Sequence, residues 1–247
     1  MNPSTDILTV KGNFYAELFY VLGALLGDGC AYKWSGSKYT QLIVIGDEKF
    51  CKKYATKLSV CTGKKVNAFL NRSKGVWRHS FRNDEICKYF IQVREKPQRI
   101  QELFKRGDCR KNQLAFVEGF FDAEGCIKII QEKQRKTPKV CLDICNTHFE
   151  LIEEVRKALY GSLRIHGRYS NQKAYTGPDG HPRKKSYHLR IYQKSAMKHF
   201  LSNIHTTKLY EKKYSVVQHW LSMKNCHPFR ENEPVAEFSE RPRHSDG

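Results

Sequence analysis

Two acids stand in matching surroundings in this chain. Asp28 lies in YVLGALLGDGC (20–30) and Glu124 in FVEGFFDAEGC (116–126), each after an apolar run and just before a glycine. Aligned without a gap, the segments pair Val21 with Val117, Gly23 with Gly119, Gly29 with Gly125 and Cys30 with Cys126. A carboxylate at the C-terminal end of a helix opposes the helix dipole by about 0.3–1 kcal/mol, and it is costly to bury without a partner. A divalent cation at that point turns the penalty into a binding site. Two close carboxylates favour Mg2+ (or Mn2+), which takes oxygen ligands and keeps waters for substrate phosphates. Ions shared between such acids activate a water and stabilise the leaving oxygen in phosphodiester hydrolysis.

For the acids to meet, the two helices must pack side by side. Small residues four apart, Gly23 with Gly27 and Gly119 with Ala123, put a narrow face on each helix where backbones can approach closely. The segments downstream of each copy also repeat. TQLIVI (40–45) and KVCLDIC (139–145) read as strands, and KFCKKYATKLSVCTG (49–63) and FELIEEVRKALYG (149–161) as helices ending at a capping glycine. Each half then shows a basic, aromatic-bearing hairpin region, 65–82 and 163–192, and a last helix, 83–93 and 194–204. The second hairpin carries an extra loop (170–186) rich in turn residues, Lys and Arg. The expected fold is α+β, two αββαββα-type repeats related as a pseudo-dimer. The boundaries are an extension at 1–13, a first repeat at 14–103, a linker at 104–111, a second repeat at 112–222 and a polar, poorly ordered tail at 223–247.

The chain's 247 residues carry 44 Lys+Arg against 25 Asp+Glu, a net charge of +19. Such an excess repels itself unless a polyanion relieves it, which points to nucleic acid. No strongly amphipathic basic helix favours a membrane surface, and no apolar run reaches the roughly 18–20 residues that span a bilayer. The start lacks the basic-then-apolar layout of a secretory signal, so the expectation is a protein that is not secreted, placed in the cytoplasm or nucleoid or in an organellar matrix. Nine cysteines without a C-x-x-C argue against a disulfide framework. Cys141 and Cys145 with His148, and Cys226 beside His227, lack the paired spacing of structural zinc.

The sequence resembles the LAGLIDADG homing endonucleases in their single-chain, two-motif form. VEGFFDAEG (117–125) keeps the motif's Gly, Asp, Ala, acid and Gly, and VLGALLGDG (21–29) keeps its Gly, two apolar positions, Asp and Gly. The resemblance implies a pseudo-twofold saddle of two antiparallel sheets in the DNA major groove, with the motif helices as the central interface. It also implies that Asp28 and Glu124 bind Mg2+ over the minor groove, helped by the carbonyls of Gly27 and Ala123. The expected activity is then site-specific cleavage of both strands of a long double-stranded target by an intron-encoded monomer. Around the scissile phosphates such enzymes place a polar residue after the second strand, where this chain offers Asp47 and Asn146. A basic residue belongs near the end of the fourth strand. Arg190 and Lys128 are the candidates, with Arg78 or His79 in the first half; each could equally contact the DNA backbone.

Antiparallel strands lying on DNA should alternate core and polar residues. SYHLRIYQK (186–194) puts His188, Arg190 and Tyr192 on one face. VWRHSFRN (76–83) puts Arg78, Ser80 and Arg82 on one face and Trp77, His79 and Phe81 on the other, which weakens His79 as a catalyst. The Arg and Lys suit phosphates, while Arg, Asn and Gln can read base edges. Lys33, Trp34 and Lys38 after the first strand, Arg72, Asn146, Arg168, and the basic run Arg183, Lys184 and Lys185 extend the footprint. Alternatives on the same scaffold are an RNA maturase, with intron RNA as a partner, and a DNA-binding regulator that does not cut.

Overall fold

The computed structural model describes residues 15–33, 40–130, 139–209 and 211–223. The expected positions Trp34 and Lys38, and the tail beyond Met223, lie outside them; Lys33 ends a strand, but its side chain is not described.

The first half runs α1 (Tyr15–Asp28), β1 (Gly29–Lys33), β2 (Thr40–Gly46), α2 (Glu48–Thr62), β3 (Phe69–Asn71), β4 (Val76–Arg82) and α3 (Asp84–Glu95). A short α4 (Arg99–Phe104) leads into the second half: α5 (Cys109–Glu124), β5 (Gly125–Ile130), β6 (Lys139–Asn146), α6 (Phe149–Leu163), β7 (Arg168–Gln172), β8 (Tyr175–Thr176), β9 (Pro182–Arg183), β10 (Ser186–Ile191) and α7 (Lys194–Asn203). A further helix, α8 (Glu211–Ser222), comes after α7, which the repeat pattern does not foresee. The sheets have the same antiparallel plan, β1-β2-β4-β3 and β5-β6-β10-β7. The α+β fold of two repeats is therefore present, and the inserted loop of the second half folds into its own hairpin, β8–β9.

Local chemistry sets the ends of these elements. Asp47, Asn83 and Asp108 cap α2, α3 and α5 by accepting hydrogen bonds from the N–H groups of Phe50, Ile86 and Lys111 at 2.9, 2.9 and 3.1 Å. Gly63 ends α2 in the left-handed conformation (φ 64°), as the sequence implies. Gly161 does not end α6: the helix continues to Leu163, and Arg164 takes the left-handed position (φ 55°). Gly161 instead lets the Gln113 side chain of α5 approach, since a Cβ there would sit 2.7 Å from Gln113 Nε2.

The core forms one continuous apolar cluster from both halves. Sheet residues alternate as expected: Leu42 and Val44 are buried toward the helices while Ile45 is exposed on the opposite face. On β10, Leu189 and Ile191 are buried in that core.

Candidate active site at the ends of two central helices

The helices α1 and α5 meet along their small residues. A Cβ on Gly23 would stand 2.2 Å from the Phe116 carbonyl oxygen and 2.8 Å from the Phe120 nitrogen. A Cβ on Gly119 would stand 2.0 Å from the Tyr20 carbonyl oxygen and 3.0 Å from the Ala24 nitrogen. These are the same two contacts with the halves exchanged, so a local twofold relates the helices. One turn on, a Cβ on Gly27 would lie 2.5 Å from the Ala123 Cβ and 2.9 Å from the Glu124 Cγ. The last turns therefore touch, and Asp28 and Glu124, the final residues of the two helices, become neighbours.

The electrostatics agree with that geometry. Burial, and then the negative charge of Asp28, push the Glu124 carboxyl up to about 7, against a hydrogen bond from Asn146 and the charge of Lys208. The Asp28 carboxyl is also raised by partial burial, though its residue remains open to solvent; Lys208 works against the shift and Asp47 adds to it. Asn146 is held for its part. Its Oδ1 accepts the His148 N–H at 2.9 Å, which turns its amide N–H onto Glu124 Oε1 at 2.9 Å. Asp47 is used as the cap of α2.

Among the described residues, no group of three or more His, Cys, Asp or Glu side chains is arranged to hold a metal ion. The oxygen donors at this point are thus two carboxylates and the carbonyls of the last helical turns, which lack helical partners. Those of Gly27 and Ala123 lie where the helices touch. An all-oxygen set of this kind fits a hard divalent cation better than zinc.

A buried carboxylate, Asp122, ties the halves together just behind the acids. It accepts hydrogen bonds from the Tyr20 hydroxyl of α1 (2.9 Å), Lys53 Nζ of α2 (2.6 Å), and Thr206 Oγ1 and the Thr207 N–H (2.7 Å each). Lys53 also meets Glu118 at 2.8 Å and the His205 carbonyl at 2.5 Å. This anchors the loop after α7, whose next residue, Lys208, supplies positive charge to both site acids. Lys208 Nζ lies 5.9 Å from the ring centre of Phe50 in α2. No motif marks Lys208 in the sequence; only the fold brings it to the acids.

A second carboxylate lies on the face of the second sheet. Asp143 of β6, 2% exposed, pairs with Lys128 of β5, with His188 Nδ1 of β10 (3.0 Å) and with Arg190 Nε (3.2 Å). Burial alone would raise its pKa, but Lys128 and His188 overcome this and hold it below the usual carboxylate range. His188 is itself 5% exposed, whereas Lys128 and Arg190 keep part of their side chains in solvent. Tyr192 lies just past β10, with Lys139 Nζ 4.8 Å from its ring centre.

The remaining expected positions spread over the sheets and loops. Arg78 and Ser80 are half-buried and Arg82 exposed on the face of β4 opposite the core, where His79 is fully buried. Both ring nitrogens of His79 lack a hydrogen-bond partner, and burial lowers its pKa to about 4. Arg72, Arg168, Arg183, Lys184 and Lys185 are exposed; Arg183 pairs with Asp179 at 2.6 Å.

Residues 111–205 match the LAGLIDADG-like domain family. That segment of the chain is a LAGLIDADG-like domain. The matched segment covers the second repeat as far as the end of α7, and the first repeat has the same sheet order and motif helix. Among solved structures, a mesophilic variant of the homing endonuclease I-DmoI aligns at a TM-score of 0.54 and 19% identity, covering 80% of this chain and 95% of that one. I-DmoI in complex with DNA and Mn gives 0.51 and 19%, over 78% and 97%. The I-LtrWI LAGLIDADG homing endonuclease bound to target DNA gives 0.51 and 12%, over 85% and 90%. At these identities the likeness concerns the two-repeat LAGLIDADG fold. No curated protein matches the sequence significantly.

Proposed function

We propose that this LAGLIDADG protein is a site-specific endonuclease of the homing type, intron-encoded, that cuts double-stranded DNA as a monomer with Mg2+ or Mn2+. The observation that carries the reading is the contact of the last turns of α1 and α5. It places Asp28 beside Glu124 and lifts Glu124 to about 7. Two adjoining, partly buried acids are an expensive arrangement for a structural role and a suitable one for a cation. The similar I-DmoI has been solved with DNA and Mn and with DNA and Ca, which supports the same ligand class here.

The carboxylates of Asp28 and Glu124, with the Gly27 and Ala123 carbonyls, would hold the ion, which supplies an activated water and charge stabilisation of the leaving oxygen. Asn146 keeps Glu124 oriented. Lys128 and Arg190 offset negative charge gathering on the phosphate. The two sheets, with Arg78, Ser80, Arg82 and Arg168 on them and Arg72 and Arg183–Lys185 at their edges, bind the duplex through phosphates and base edges.

The test is cleavage of a randomised DNA library in Mg2+, with sequencing of the cut ends. A single long consensus cut on both strands is the expected result. Asp28→Asn and Glu124→Gln should each remove cutting and leave binding within about threefold. Protein that selects a duplex and never cuts it would sink the nuclease reading.

A further inference from the structure

Strand register gives each residue of one sheet a counterpart in the other, and the counterparts differ chemically. In the second sheet Asp143 stands opposite Cys126 and Arg190, and Lys128 opposite Cys141. In the first, Ile43 stands opposite Cys30 and Ser80, and Tyr32 opposite Gln41. Asp143 thus corresponds to Ile43, Lys128 to Tyr32 and Arg190 to Ser80. By the same register His188, opposite Cys145, corresponds to Arg78, opposite Ile45.

The second half therefore carries a buried carboxylate that holds a lysine, an arginine and an imidazole, and the first half carries an apolar residue at the same point. Arg78 is the one cation left among these first-half counterparts. Its Nε is buried without a hydrogen-bond partner, and its guanidinium lies 5.9 Å from the ring centre of Phe69. The cluster is well placed to matter. β5 starts directly after Glu124, so the Lys128 backbone is about 13 Å away at the usual strand rise, within the combined reach of a long side chain and a phosphate. Asp143 engages Nε of Arg190 and one proton of the Lys128 ammonium, and both cations remain partly exposed at 30% and 41% of their side chains. A buried anchor fixes the geometry of these cations without covering them.

We propose that Asp143 is a positioning residue of the second half-site only, and that the strand whose scissile phosphate lies against the second sheet is consequently cut faster than the other. This rests on the nuclease reading above. Asp143 touches no reacting atom and acts through Lys128 and Arg190. Arg78 serves the slower strand without a comparable anchor.

The duplex recovered by the library selection, labelled on one strand or the other, is the probe, with single-turnover nicking rates followed in Mg2+. Wild type should nick one strand several-fold faster. Asp143→Asn should slow that strand by about 10–100-fold, leave the other within about twofold, and leave duplex affinity nearly unchanged; Asp143→Glu should recover part of the loss. Lys128→Gln and Arg190→Lys, both on partly exposed side chains, should slow the same strand and serve if Asp143→Asn does not fold. Arg78→Ala should slow the other strand. Equal strand rates in wild type overturn the proposal, as does an Asp143 or Lys128 variant that slows both strands alike. Wild-type protein that cuts neither strand overturns the nuclease reading itself.

Discussion

Because burial and Asp28 lift Glu124 to about 7, the metal-free folded chain holds a proton that the unfolded chain releases near 4.5. Stability from this group therefore falls as pH rises from about 4.5 through 7, by on the order of 1–3 kcal/mol. His79 acts in the opposite sense. Its folded pKa of about 4 lies below the usual 6.5, so the unfolded chain takes up a proton first, and stability falls as pH drops from about 6.5 to 4. The two slopes oppose each other over their shared window. With chelator present, thermal melts of Glu124→Gln should lose stability on acidification more than wild type does. Melts of His79→Phe should instead lose it as pH rises, and Mg2+ added at pH 8 should raise the wild-type Tm but not that of Glu124→Gln. Parallel pH profiles for the two variants would contradict this. Asp122 belongs to the same scale. Asp122→Ala strands the Tyr20 hydroxyl and the Thr207 N–H and leaves Lys53 with only Glu118 and the His205 carbonyl, and urea unfolding should show a loss of about 2–4 kcal/mol. At this scale the motif acids are legible in the sequence, because their flanking glycines and apolar runs repeat. Asp122, Asp143 and Lys208 are not, because each gains its meaning from partners on other elements, which no spacing along the chain reports.

The pairing of α1 with α5 is an element-scale property with its own measurement. Neither Gly23 nor Gly119 has room for a methyl group, because the obstacle in each case is the partner's backbone and not a movable side chain. Gly23→Ala and Gly119→Ala should each cost about 2 kcal/mol or more in urea unfolding. Both should depress cleavage beyond that, since the helices can separate only by moving Asp28 from Glu124. Thr56→Ala, on the exposed face of α2, should stay within about 0.5 kcal/mol. A Gly119→Ala protein of unchanged stability and activity would mean that the close approach is unnecessary. The spacing of small residues along the chain is enough to reveal this helix pair, and the alternation in β4 and β10 likewise announces which side faces the core. Helix ends are harder to read. Gly161 looks like a cap by its position, yet Gln113 claims the space that its missing Cβ leaves, and the cap falls to Arg164. The helix α8 escapes because it has no partner in the first repeat to be compared with.

Charge acts at the scale of the whole molecule. With a net +19, binding to a duplex should weaken steeply with salt, since each phosphate contact releases condensed counterions. Removing an exposed phosphate-facing cation, as in Arg72→Ala or Arg168→Ala, should reduce the slope of log K against log[salt] by about one, with little change in sequence preference. A slope that ignores both variants would place the duplex elsewhere. Total charge is plain in the composition, but its division is not: the second sheet gathers two cations on one buried carboxylate, while the matching positions of the first hold a single arginine, a difference that only strand register exposes. The site where Gly27 touches Ala123 has a different kind of consequence. Two copies of the first half could meet glycine to glycine; two copies of the second would bring alanine methyls into collision at the same separation. Expressed as separate pieces, the halves should therefore recombine as unlike pairs, and the second should not pair with itself in this geometry. A scaffold whose symmetry suits a homodimer has, through one methyl group, become a molecule that cannot return to one by simple duplication of its second half.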